Sequence, residues 1–93
     1  MRIRLKYAGI ISEITGKVSD EIELGNDISI SDLLKKLASL HGRRFKEQVF
    51  NYEINRPASG VLILLNGKLI HGNFDRKLND EDFVSIIPMV SGG

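Results

Sequence analysis

Between Ile30 and Ala38 the residues Ile30, Leu33, Leu34, Leu37 and Ala38 fall at i, i+3, i+4, i+7 and i+8, an apolar stripe down one side of an α-helix. Ser29 stands where an N-cap belongs, Asp32 follows three residues later near the positive end of the helix dipole, and Gly42 supplies a left-handed stop. The flanking segments have strand periods, so the stripe of this one main helix must be buried against a sheet.

Ile3, Leu5 and Tyr7 alternate with Arg2, Arg4 and Lys6, and Val18, Ile22 and Leu24 alternate with Ser19, Glu21 and Glu23, leaving Asp20 as the one polar residue at an inward parity. Two strands with one wet face each, basic on the first and acidic on the second, read as a hairpin. Opposed cross-strand charges contribute roughly 0.2 to 1 kcal/mol per pair. From Arg43 to Gly60 the pattern weakens. Phe45, Val49 and Phe50 suit a short turn of helix, and Asn55 to Gly60 reads as loop. Val61 to Leu65 is apolar on both parities, as for a central strand covered on both faces, and Asn66-Gly67 is a two-residue hairpin turn into Lys68, Leu69 and Ile70. Phe83 to Ile87 is the last strand. The order predicts an α+β fold: a ubiquitin-type β-grasp, a mixed sheet with one main helix packed on one face.

A length of 93 residues suits a single domain spanning 1–93, with 88–93 as a flexible C-terminal tail. Surface scaling allows about 64% of the surface to be buried, enough for one modest core. The absence of cysteine excludes disulfides, thiolate metal sites and cysteine nucleophiles. The opening MRIRLKYAG lacks the apolar core of a signal peptide, and the longest purely apolar run, Val61 to Leu65, is too short to span a bilayer. A cytoplasmic soluble protein with no membrane partner is expected. Net charge is +1, with the basic residues scattered except for Arg43, Arg44 and Lys46, so no nucleic-acid partner is expected.

Side-chain chemistry offers little. Gly60 and Gly67-Lys68 are too far apart for a phosphate loop, and Leu69 stands where a hydroxyl must bind magnesium. His41 and His71 lack the companions a metal site needs and read as surface histidines, so no metal is expected. Asp80, Glu81 and Asp82 read as a solvated turn. No nucleophile with its base and orienter is present, so the chain has no catalytic side chains of its own.

The tail Pro88-Met89-Val90-Ser91-Gly92-Gly93 is different. Pro88 has no N–H for the ladder, so the sheet is expected to stop pairing there and release the chain. Six residues reach at most about 20 Å, and Gly92 and Gly93 can enter a channel too narrow for a Cβ. A carboxylate at Gly93, with a pKa of about 3.3 to 3.7, is a poor electrophile until activated. Conversion to an acyl-adenylate lets sulfide displace the phosphate to leave a thiocarboxylate, or an amine displace it to leave an amide.

The stretch from Leu78 to Gly93, together with Lys6-Tyr7, Glu13-Ile14-Thr15-Gly16, the capped helix and Val61 to Lys68, resembles the small subunit of molybdopterin synthase and related ubiquitin-like sulfur carriers, the MoaD/ThiS-like family. The sequence departs from the family pattern at Glu81, where a turn glycine is usual, at Met89, where a second proline is common, and at Ser12, where many members carry arginine. The resemblance implies that the first and last strands are parallel neighbours. It implies that Gly93 is adenylated, thiocarboxylated and used as a sulfur donor in molybdenum cofactor biosynthesis, with Gly92, Ser91, Val90, Met89 and Pro88 as the tail that partners bind. The implied partners are an E1-like adenylating enzyme, which uses ATP, and the large subunit of molybdopterin synthase in a heterotetramer. No cofactor is bound by this chain. The alternatives are a ubiquitin-like modifier conjugated to lysines through Gly93, and a carrier for tRNA thiolation or thiamine synthesis.

Overall fold

The computed structural model describes residues 1–89. Strand β1 (Arg2–Tyr7) follows its alternation: Ile3, Leu5 and Tyr7 are buried, and the basic residues face out. It pairs antiparallel with β2 (Ser19–Glu23), setting Arg2 opposite Glu23 and Arg4 opposite Glu21. The two strands are not a hairpin. Helix α1 (Gly9–Thr15) lies between them, buries Ile11, and stops at Gly16, whose φ of 80° gives the left-handed cap. Val18, expected to face inward, precedes β2 and is 65% exposed. Asp20 is half-buried at the inward parity and pairs with Lys17 at 3.4 Å.

Helix α2 (Ile30–His41) buries the predicted stripe. Its N-terminus is a reciprocal capping box: the Asp32 N–H donates to Ser29 Oγ and the Ser29 N–H donates to Asp32 Oδ2, both at 3.0 Å. The Ser29 N–H also holds the Asp32 carboxyl below the usual range. Gly42, at φ 90°, turns the chain from α2 into α3 (Arg43–Val49), which buries Phe45 and Val49. Within the expected loop, β3 (Phe50–Asn51) and β4 (Arg56–Pro57) form a small antiparallel ribbon.

Strand β5 (Val61–Leu65) turns through Asn66 (φ 52°) and Gly67 (φ 84°) into β6 (Lys68–Leu69), the positive-φ pair that a type I′ hairpin requires. Strand β7 (Phe83–Pro88) closes the sheet in the order β2-β1-β7-β5-β6, parallel to β1 and antiparallel to β5. This mixed sheet with its main helix on one face is the β-grasp arrangement. The core lies between them, where Leu33, Leu34 and Leu37 meet Ile3, Leu5, Ile63, Val84 and Ile86. Each such side chain contributes about 1.5–3 kcal/mol on burial. The central strand is β7, not β5, and only one face of β5 is covered.

The acidic turn before β7 is an organised structure. Glu81 occupies φ 71°, a region disfavoured for a glutamate, in the turn where the family resemblance leads to the expectation of a glycine. Its carboxylate accepts from Arg2 Nε at 2.8 Å and Nη2 at 3.1 Å, and its N–H donates to Arg2 O at 2.7 Å. Asp80 accepts the Arg2 N–H. Buried Asp82 accepts from the Asn79 N–H at 2.7 Å and from Asn66 Nδ2 at 2.9 Å. The turn is therefore fastened to β1 and to the β5–β6 hairpin together.

His41 is not a plain surface histidine. It continues the α2 stripe, is half-buried, and its ring centroid lies 6.0 Å from Tyr7 and 5.3 Å from Phe45. Burial pushes the imidazole below its ordinary pKa, Lys17 adds to the shift, and Asp20 opposes it. The unfolded chain takes up a proton near pH 6.5 while the folded chain takes it up only at lower pH, so stability rises with pH in this window. Lowering the pH through about 6.5 is predicted to lower Tm until the folded value is passed. His41→Phe should flatten that part of a Tm profile recorded between about pH 5 and 8; coincident profiles for parent and variant would refute the assignment.

Candidate functional site

The sheet face turned away from α2 carries a graded surface. At one side, β2 presents Glu21 and Glu23, and beside it β1 presents Arg2, Arg4 and Lys6. In register next to Arg4 is Phe83, with the guanidinium 5.6 Å from the ring centroid, and next to Lys6 is Ser85. Ser85 pairs across to Leu64 and Ile87 to Leu62, while Leu64 pairs to Leu69. Phe83, Leu62, Leu64 and Ile87 are half-buried and stand apart from the core cluster, and Leu69 is 41% exposed. An apolar strip over β7, β5 and β6 thus lies beside a basic stripe. Contiguous apolar surface rimmed by charge is the mark of a binding face. The both-parity run at Val61–Leu65 reflects this: one parity packs into the core, and the other lies half-buried on the open face.

The strip leads along β7 to the tail. Pro88 does not release the chain. It pairs opposite Val61, and one residue further the Met89 N–H donates to Gly60 O at 2.8 Å. Backbone groups alternate sides along β7: Asp82 and Ile86 accept from β1 and Ala8, whereas Phe83 accepts from Asn66 and Met89 donates to Gly60. The nitrogen of Pro88 therefore faces the β1 side, where β1 has already given way to α1, and the ladder loses no bond to the ring. Of the six tail positions singled out from the sequence, Pro88 is in the sheet and Met89 is 53% exposed at its rim. Val90, Ser91, Gly92 and Gly93 lie outside the described residues. Leu62, Leu64, Phe83, Ile87 and Leu69 form an open apolar strip that the sequence did not single out.

Among the described residues no group of three or more His, Cys, Asp or Glu is placed to hold a metal ion, and no helix is long and apolar enough to cross a membrane. The chemistry this arrangement can offer is presentation: a docking face, and a strand that carries the chain from it toward Gly93.

The fold is the ubiquitin-like β-grasp. Residues 5–93 match the ThiS family, and the chain belongs to this family of ubiquitin-like sulfur carriers. No curated protein sequence matches it. A candidate molybdopterin converting factor subunit 1 from Pyrococcus furiosus is 29% identical, with 97% of this chain and 99% of that one covered at a TM-score of 0.78. SAMP1 from Haloferax volcanii shares the fold at 21% identity, with all of both chains covered and a TM-score of 0.81. So does a chain of the BexX/CysO complex of Amycolatopsis orientalis, at 20% identity, 98% and 99% coverage and a TM-score of 0.76.

The two faces of β5 predict opposite responses to truncation. Ile63→Ala, in the core, should cost about 2–5 kcal/mol, whereas Leu62→Ser, on the open face, should cost less than about 1 kcal/mol. Urea denaturation of both variants checks this, and equal losses would mean that the open face is structural.

Proposed function

We propose that this chain is the sulfur-carrying small subunit of a molybdopterin synthase, with Gly93 as the residue that is adenylated, thiocarboxylated and spent. The observation that carries the reading is the course of β7, which runs through the middle of the sheet and is held, among the described residues, as far as Met89, four positions before Gly93 in the sequence. Four residues span at most about 14 Å. The similarity to the Pyrococcus furiosus protein over almost the whole of both chains supports the molybdenum branch.

In this reading an E1-like adenylating enzyme joins the Gly93 carboxylate to the α-phosphate of ATP and releases pyrophosphate. Sulfide then attacks the acyl carbon, AMP leaves, and a thiocarboxylate remains. The large subunit of the synthase takes up Val90, Ser91, Gly92 and Gly93 in its channel, where the thiocarboxylate sulfur attacks a carbon of a pterin precursor and displaces an oxygen leaving group; water then hydrolyses the resulting thioester, leaving the sulfur on the pterin and a carboxylate on Gly93. The assembly is a heterotetramer in the cytoplasm. This chain supplies the reacting group, and its partners supply ATP handling and acid–base catalysis. Both partners need the same end of the molecule, so they dock in turn on the apolar strip of Leu62, Leu64, Phe83 and Ile87, with acidic groups meeting Arg4 and Lys6. That CysO has been solved in complex with BexX supports docking by this fold.

The test is alkylation of native protein followed by peptide mass spectrometry. With no cysteine present, a thiocarboxylate is the dominant soft nucleophile. The label is expected on Gly93 and should be lost when the loaded chain meets the large subunit and the pterin precursor. A label that never maps to Gly93 overturns the carrier reading. A label spent only on tRNA or thiamine precursors overturns the molybdenum branch, and higher-mass conjugates that vanish on Gly93 deletion favour a lysine modifier. Leu62→Asp is predicted to raise the KM for the adenylating enzyme at least tenfold; an unchanged KM would remove the strip from the docking surface.

A further inference from the structure

The chain leaves the sheet through a contact made with the other end of the sequence. Gly9, the first residue of α1, has φ +54°, and a Cβ built on it would stand 2.8 Å from Pro88 Cγ and 3.6 Å from Pro88 Cδ. Carbon atoms pack at about 3.5–4.0 Å, so nothing larger than glycine fits beneath the ring as it lies. A proline ring can shift Cγ only by changing its pucker and cannot swing clear as a flexible side chain does. The position differs from the other described glycines, since Gly16, Gly25, Gly42, Gly60, Gly67 and Gly72 have open space where a Cβ would be. Elsewhere glycine serves turns; at Gly9 it also makes room.

The contact lies where the sheet needs a substitute for hydrogen bonds. On the β1 side the ladder ends with the Ala8 N–H donating to Ile86 O at 3.3 Å, and the chain then turns into α1. Beyond that point, among the described residues, β7 is hydrogen-bonded on its β5 side, where the Met89 N–H donates to Gly60 O. The Pro88 ring seated on Gly9 supplies the opposing hold. Together the two contacts grip the last strand residues from both sides at the base of the tail.

We infer that Gly9 is a positioning residue for the reacting terminus, forming a notch for Pro88 that fixes the direction in which the chain leaves the sheet. The role rests on the reading of Gly93 as the reacting residue. Five fully extended residues span at most about 17 Å, so a tilt of about 15° at Pro88 displaces the far end of such a stretch by up to about 4 Å. A partner that grips the open face finds the entrance of its channel at a fixed place relative to that face. Errors of about 1 Å in a reacting group can cost about a hundredfold in rate. The notch therefore affects turnover more than docking.

Amide hydrogen exchange and single-turnover adenylation of the full chain test this. Gly9→Ala and Pro88→Ala should each speed exchange at the Met89 amide at least tenfold relative to amides of β5, and the double variant should be within about threefold of either single one, because both remove one contact. Multiplicative effects, or an unchanged Met89 amide in Gly9→Ala, overturn the notch; Pro88→Ala keeps the test valid if alanine at position 9 perturbs α1. In adenylation, Gly9→Ala should lower kcat at least tenfold with KM within about threefold of the parent. A loosened Met89 with normal kcat overturns the positioning role while leaving the carrier reading intact. A parent chain that no adenylating enzyme loads overturns the carrier reading and this role with it, and the exchange cycle still decides the contact.

Discussion

The parallel pairing of β1 with β7 is the constraint on which the rest depends. It puts the last strand between β1 and β5, with buried Val84 and Ile86 facing the stripe of α2. A parallel pair cannot be joined by a tight turn, so everything from α1 to the acidic turn is the connection that brings the chain back alongside its own beginning. Arg2 completes the closure, since its backbone and guanidinium fasten Asp80 and Glu81 at the entry to β7. The last strand is thus an inner strand of the sheet, supported on both sides, which suits the proposed use of the chain's end.

The two faces of the sheet divide the labour. One is sealed by α2 and supplies stability. The other keeps large apolar side chains half-exposed beside Arg4 and Lys6, an arrangement of little use to the isolated molecule and suited to a partner surface. Strand β7 belongs to both, with Val84 and Ile86 in the core and Phe83 and Ile87 on the open strip. One strand thus contributes both to the core and to the open face on which the proposed role places docking.

Much of this was legible in the sequence because the signals are local. The period of α2, its Ser29–Asp32 box, the alternation of β1 and the Asn66-Gly67 turn each depend on neighbouring residues. Helix α1 was not, since Ile10, Ile11 and Ile14 span too short a window to outweigh the strand patterns on either side. His41 did carry a signal, lying four residues after Leu37 on the α2 stripe, and its half-burial follows from that spacing. The apolar run at Val61–Leu65 fixed a strand but not its place, because an apolar run does not say whether one face or both are covered by the rest of the chain. Glu81 shows a departure from a family pattern absorbed by an ion pair with a residue at the opposite end of the chain. The Gly9–Pro88 contact had no sequence signal, joining residues 79 positions apart whose meeting is decided by strand order.

The central claim is that the reaction occurs on the backbone carboxyl of Gly93 and that no side chain of this molecule takes part. Exchange of labelled pyrophosphate into ATP by the adenylating enzyme reports formation of the acyl-adenylate directly. The account predicts exchange that depends on the intact chain and disappears when Gly93 is removed, although the shortened protein still binds the enzyme with the parent's affinity. Undiminished exchange with the shortened chain would contradict it.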